Sequence, residues 1–254
     1  MPATDQNTVY IVVVIALLGF LIGFAKGGFN GLGALLTPIL ALVLPVTSAV
    51  GVLLPMLMAG DVFAIYMYWK EWNLDLVKRM LPAGVVGALV GTALLSWVSA
   101  DGLRIVLGIF ILASVAYKFL SDRIEAIRYE PRPWHALAAG LLSGVASGMF
   151  NSGGPPFNSY LLLQKLKARP FIATTAIYFA LLNLIKVPGF LYTGVLNLPL
   201  LFSLWWVFLF IPLGIWVARM TLTHLSPSAF EWIIISLLIF SSLLLLRSGL
   251  GQSR

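Results

Sequence analysis

Gly23-Phe24-Ala25-Lys26-Gly27-Gly28-Phe29-Asn30-Gly31-Leu32-Gly33 and Gly144-Val145-Ala146-Ser147-Gly148-Met149-Phe150-Asn151-Ser152-Gly153-Gly154 share the frame G-x-x-x-G-x-F-N-x-x-G. The second copy begins 121 residues after the first (144 − 23), close to half of the 254-residue chain. Each copy follows an apolar run and precedes an apolar run that contains proline. Glycine-interrupted apolar segments at corresponding positions of two halves point to the binding site of a transporter built from repeats.

Composition agrees with a membrane setting. Hydrophobic residues make up 60% of the chain and charged residues 10%, against roughly 25% charged in soluble domains. A spanning helix needs about 20 apolar residues, and there are too many such runs for a single anchor. The chain has no Cys, which excludes disulfides, thiolate metal sites and thiol nucleophiles. The first apolar run, Val9 to Phe24, is preceded by Asp5 and by no Lys or Arg, unlike a cleavable signal peptide with its cationic start. It is expected to be a permanent segment. The net charge of +7 invites a nucleic-acid partner, but the cations sit in short loops between apolar runs, where they report orientation.

Apolar runs between breakers predict about ten segments, at 9–25, 31–44, 47–69, 80–98 and 103–120, then 134–149, 154–163, 170–192, 199–218 and 229–247. They group into an N-terminal repeat (1–120), a polar linker (121–133) with six charged residues, and a C-terminal repeat (134–254). Lys and Arg mark cytoplasmic loops. Such clusters occur at Lys70, Lys78 and Arg79, at Lys118, Arg123, Arg128 and Arg132, and at Lys165, Lys167 and Arg169. The loops 99–103 and 193–198 have none. With the clusters inside, the last three segments of each half alternate. The first two must then enter and leave on one side, either as two full crossings or as a re-entrant hairpin tipped by the glycine motif. Each half crosses an odd net number of times, so the halves are inverted and both termini fall outside the cytoplasm. The expected fold is an all-α polytopic membrane protein of two inverted repeats.

Backbone that leaves helix geometry at membrane depth is tolerated only where protein or a water-filled cavity receives its polar groups. Gly27, Gly28, Gly31 and Gly33, mirrored by Gly148, Gly153 and Gly154, are expected to mark two such breaks. A helix starting after each would aim its N–H groups and positive dipole end at the break, an anion site. Asn30, Asn151 and Ser152 add polar groups there, and Phe29 and Phe150 are candidates to wall or gate it. Lys26 lies in the first motif, and Lys186 lies deep in the eighth segment near Asn183. A cation in a span costs about 2.5–3.5 kcal/mol even on the lenient insertion scale, so it is a functional candidate by default. Asp61 is the one acid well inside an apolar run; with a one-residue shift of the repeat it matches Asn183 (183 − 61 = 122). Pairing with a lysine or carrying a coupling proton are both open to it. His135 and His224 lie near segment ends, which removes an intramembrane histidine base. With no Cys and one buried acid, an intramembrane enzyme and a metal or cation carrier are both disfavoured, no cofactor or metal is expected, and a channel stays open beside a carrier.

The repeated break, 27–33 with Pro38 and 148–156, resembles the sulfite exporter TauE/SafE family, over about Val9 to Leu246. The resemblance implies a transporter of the bacterial cytoplasmic membrane for a small sulfur anion, such as sulfite or an organosulfonate like sulfoacetate, usually working outward. Carboxylates and other small anions are the alternative. Its partners would be that anion and lipid, and apolar outer faces leave room for a homodimer.

Overall fold

Asn73 shows how this chain begins a membrane helix. Its side-chain oxygen accepts from the backbone N–H groups of Asp75 (3.1 Å) and Leu76 (3.2 Å), and Asp75 places a negative charge in the first turn where the helix dipole favours it. The helix therefore opens at Leu74, six residues before the apolar run predicted from hydropathy, and carries Lys78 and Arg79 in its first turns. The computed structural model describes residues 3–27, 33–124, 132–203, 205–221 and 227–251.

The described residues form helices α1 (Ala3–Lys26), α2 (Gly33–Ala41), α3 (Val46–Met67), α4 (Leu74–Trp97), α5 (Ala100–Ile124), α6 (Pro133–Phe150), α7 (Gly154–Leu162), α8 (Ala168–Tyr192), α9 (Leu198–Ser203), α10 (Phe210–Thr221) and α11 (Pro227–Gly251), with a 3-10 turn at Trp205–Leu209 before α10. The expected ninth segment is thus three pieces. No described residue lies in a strand. Four stretches are long and apolar enough to cross a membrane (Val46–Met67, Leu74–Trp97, Ala100–Tyr117 and Arg169–Tyr192), and three shorter apolar ones accompany them. Helices α2 and α7 have nine residues each. At 1.5 Å per residue each is about 13 Å long, roughly half of a ~30 Å hydrocarbon core.

The halves interlock. Helix α4 packs against α6, α1 against α10, α5 against α11, and α3 against α8, so these main contacts each join the first 124 residues to the last 122. Glycine permits the closest approaches. A Cβ at Gly23 would stand 1.9 Å from the Ile211 carbonyl oxygen, and one at Gly144 2.1 Å from that of Gly84. Both glycines belong to the repeated motif and both meet a helix of the opposite half, which is close packing through small residues.

Apolar side chains fill the interior and also cover much of the outside. Phe157 stacks on Tyr178 with ring centroids 4.1 Å apart, beside Met80 and Leu182 in one core cluster. Val86, Leu89, Leu184 and Leu213 face outward, as a surface in contact with lipid requires. Trp97, Tyr192 and Trp205 stand exposed near helix ends, the level that amphipathic aromatic rings prefer.

Candidate functional site

The second glycine motif ends α6. Asn151 adopts φ 53° and ψ 22°, a left-handed conformation that asparagine tolerates better than most residues. Its N–H donates to the Ser147 carbonyl (3.0 Å) and the next, Ser152 N–H, to that of Ala146 (3.3 Å). The chain then turns into α7, where Pro155 and Pro156 occupy the first turn without donors. Two hydroxyls fix the turn. Ser143 donates to the Gly153 carbonyl at 2.8 Å, and Thr37 of α2 donates to the Phe150 carbonyl, tying the first half to the break of the second.

Lys186 is 1% exposed and spends its three protons at this break. Nζ donates to the Ser147 carbonyl (3.1 Å), the Ser147 hydroxyl (3.0 Å) and Asn151 Oδ1 (2.7 Å). The Asn151 amide nitrogen in turn donates to the Val50 carbonyl of α3 (2.8 Å). A buried ammonium with three acceptors is the arrangement that its donor inventory demands.

One turn back on α8, the Asn183 amide nitrogen donates to Asp61 Oδ2 at 2.7 Å. The other Asp61 oxygen accepts from Lys26 Nζ in an ion pair, with Asp61 1% exposed and Lys26 17% exposed. Of the two openings the sequence left for Asp61, pairing with a lysine is the one observed, and the lysine is Lys26. The cluster therefore gathers Lys26 from α1, Asp61 from α3, and Asn183 and Lys186 from α8, and it touches Ser147 and Asn151 at the end of α6. At formal charges it holds two ammoniums and one carboxylate.

Other expected site residues are placed differently. The Phe150 ring is 2% exposed and packs on Phe110 with centroids 6.1 Å apart, within the core. Gly33 opens α2, and a Cβ there would meet nothing within 4 Å. Gly154 is the first residue of α7, and a Cβ at Gly153 would stand 2.5 Å from the Ser143 carbonyl oxygen. Among the described residues, the buried Ser152 hydroxyl has no hydrogen-bond partner. Gly28, Phe29, Asn30, Gly31 and His224 lie outside the described residues. Sequence reasoning passed over Ser147 as a ligand of Lys186, and over Ser143, Thr37 and Thr92; the available signal was a hydroxyl inside an apolar run.

A separate cavity of about 350 Å³ is lined by none of the cluster's residues. It is bounded by the first turns of α3, the α4–α5 turn, and the loop that follows α8. Gly51 on its wall directly follows Val50, whose carbonyl holds Asn151.

An all-helical bundle with an apolar exterior and a buried charged cluster is a polytopic membrane protein. The family model for the sulfite exporter TauE/SafE matches residues 15–245, and the chain belongs to that family. It is a membrane transporter of the anion and sulfite exporter type. No curated protein and no solved structure matches the chain.

Proposed function

We propose that the protein exports a small sulfur-containing anion, sulfite or a compact organosulfonate, across the bacterial cytoplasmic membrane as a secondary transporter. The observation that carries this reading is the buried cluster of Lys26, Asp61, Asn183 and Lys186, with two ammoniums to one carboxylate. One positive charge is left over in a low-dielectric interior. An oxyanion about 4 Å from it gains about 4 kcal/mol at an effective dielectric near 20. The start of α7 supplies neutral donors next to it. Ser152 offers a buried hydroxyl without a partner among the described residues, and the N–H groups of Gly153 and Gly154 precede two prolines at a helix end without a side-chain cap.

Asp61 acts in this scheme as a resident counter-ion. It neutralises Lys26 until a substrate anion competes for the ammonium, which couples anion entry to loosening of the α1–α3 contact. The reciprocal packing of α4 on α6 and α1 on α10 supports two inverted repeats, with α2 and α7 as half-membrane hairpin arms. Alternating access is then the movement of one repeat against the other around the cluster. The loops rich in Lys and Arg, taken as cytoplasmic, favour periplasmic termini. Outward movement of an anion from a negative interior gains about 2.3 kcal/mol per charge per 100 mV, which suffices to drive export.

The test is uptake into inside-out vesicles of labelled sulfite, methanesulfonate and an acetate control, by wild type, Lys26→Gln, Lys186→Met and Asn151→Ala. Saturable sulfur-anion uptake reduced at least tenfold in both lysine variants supports the reading. Uptake that survives both lysine changes but is abolished by Asp61→Asn overturns the charge assignment.

A further inference from the structure

Ser143 stands immediately before the second glycine motif, where Ile22 precedes the first. Both side chains are fully buried. Ile22 belongs to the apolar core, whereas Ser143 donates from α6 to the Gly153 carbonyl at 2.8 Å. The two halves therefore differ by one hydroxyl on the helix that leads into the break.

That hydroxyl holds a carbonyl which α7 holds only weakly itself. Gly153 is the N-cap of α7 and brings no side-chain cap. The bond from the Phe157 N–H to the Gly153 carbonyl is stretched to 3.5 Å, whereas such bonds cluster at about 2.9–3.0 Å. The shorter Ser143 bond thus sets the direction of this carbonyl. The Gly153 carbonyl and the Gly154 N–H belong to one planar trans peptide unit and point opposite ways. Anchoring the carbonyl on α6 aims the N–H away from Ser143, out of the first turn of α7. The neighbouring Ser152 hydroxyl is buried and, among the described residues, unpartnered. A buried polar group left in that state is unfavourable until a ligand engages it.

Tyr178 of α8 braces the clamp. Its fully buried ring stacks on Phe157 of α7. Its hydroxyl donates to the Gly140 carbonyl of α6 at 3.4 Å, long for a hydroxyl donor, and stands beside the Ser143 hydroxyl, with which it interacts. Gly84 of α4 leaves room for it, since a Cβ there would lie 2.4 Å from the tyrosine oxygen. A buried hydroxyl that accepts one hydrogen bond donates a stronger one, so the phenol tightens Ser143 on Gly153. The same helix carries Lys186, which bonds Ser147 and Asn151 one and two turns further along α6. Helix α8 therefore fixes both the charge and the neutral donors against the end of α6.

We infer that Ser143, braced by Tyr178, is a positioning residue for the substrate: it presents the donors of Ser152, Gly153 and Gly154 to the anion. This role rests on the anion reading of the central cluster and extends it to residues that touch neither the cluster nor the substrate. Without the clamp the anion must order the turn itself, which weakens binding and leaves the translocation step unchanged.

The experiment is the concentration dependence of labelled sulfite uptake into inside-out vesicles, with thermal unfolding of each purified protein in detergent alongside. The variants are Ser143→Ala, Ser143→Cys, Tyr178→Phe, Ser143→Ala/Tyr178→Phe and, as a check on the central reading, Lys186→Met. Tyr178→Phe probes the clamp without altering α6. In Ser143→Ala the KM should rise about fivefold, the factor that one net hydrogen bond represents, with Vmax per folded protein within about twofold of wild type. Tyr178→Phe should give a smaller rise. The double variant should be no worse than Ser143→Ala, because the phenol acts through the serine. Ser143→Cys, which restores a weak donor, should recover part of the affinity. A serine that served only the fold would lower Tm or the amount of folded protein and leave KM alone, and that result overturns the inference. Additive effects of the two single changes on KM overturn the bracing by Tyr178. An unchanged KM in Ser143→Ala while Lys186→Met abolishes uptake strikes the positioning role alone. Uptake indifferent to both changes strikes the central anion reading with it.

Discussion

Removing either partner of the Lys26–Asp61 pair leaves unequal damage, because the partners are unequally buried. In Lys26→Met, Asp61 stays 1% exposed with the Asn183 amide as its remaining partner among the described residues. An uncompensated buried charge of this kind costs about 3–5 kcal/mol; partial access through the space vacated by Lys26 puts the expected loss near 3 kcal/mol. In Asp61→Leu, Lys26 is already 17% exposed and its flexible stem can carry the ammonium toward water. The main loss there is the Asn183 hydrogen bond, about 1 kcal/mol. In Lys26→Met/Asp61→Leu no ion remains, and replacing a buried pair by apolar residues is often nearly neutral, so the double variant should lose about 1 kcal/mol. The two single changes then sum to about 4 kcal/mol against about 1 for the double, a coupling near 3 kcal/mol. Equilibrium unfolding in mixed micelles, followed by tryptophan fluorescence, measures all three. Additivity within ~0.5 kcal/mol would refute the pair as a stabilising contact, and a larger loss in Asp61→Leu than in Lys26→Met would refute the burial argument.

Three further outcomes follow from the geometry. Gly144→Val and Gly23→Val drive a side chain into the Gly84 and Ile211 carbonyls, whose oxygens stand 2.1 and 1.9 Å from the Cβ positions, so both should lose more than about 2 kcal/mol or fail to accumulate, whereas Gly33→Ala, with open space around it, should express and elute like wild type. Asn151→Gly keeps the left-handed backbone but frees Lys186 and the Val50 carbonyl, and should cut anion binding at least tenfold in a titration while leaving the helical circular-dichroism signal intact. Arg169→Ala removes an ion pair to Glu71 in which Arg169 is 68% exposed, and should change stability by less than about 0.5 kcal/mol and transport not at all.

Much of the fold was legible because a bilayer makes hydropathy and helix length nearly equivalent. The predicted segment 154–163 appears as Gly154–Leu162, and 170–192 as Ala168–Tyr192. Boundaries failed where local chemistry outranks hydropathy. The Asn73 cap starts α4 ahead of its apolar run, and the Trp205–Leu209 turn interrupts a stretch that carries no charged residue. The site was legible as a set of residue types but not as a set of contacts. Lys26, Asp61, Asn183 and Lys186 stand out because each is expensive in a membrane. Which lysine meets Asp61 depends on how α1 and α8 pack on α3, and no spacing encodes that. Ser147 and Thr92 escaped notice because a hydroxyl in a helix satisfies itself cheaply and carries no signature of its neighbours.

With the one-residue shift of the repeat noted above, Asp61 and Asn183 correspond in the two halves, 122 residues apart, and they touch. A residue meets its own counterpart only close to the axis that relates two repeats, so on the inverted-repeat reading this contact lies on that axis. Strict symmetry there would put two carboxylates face to face or two amides. The chain has one of each, and the imbalance extends outward. Lys26 answers Asp61 in the first half, while its counterpart Ser147 serves Lys186 in the second. One ammonium is therefore matched by a carboxylate and the other by neutral oxygens alone. Asn183→Asp isolates this difference, because it adds a carboxylate one turn from Lys186 and takes the formal charge of the cluster from +1 to zero without altering its volume. If the surplus charge holds the substrate, Asn183→Asp should weaken sulfite binding at least tenfold at neutral pH, and acidification that protonates one of the facing carboxylates should restore part of it. Sulfite affinity equal to wild type at neutral pH would mean that the anion is held by the uncharged donors at the start of α7, and that the lysines serve only the architecture.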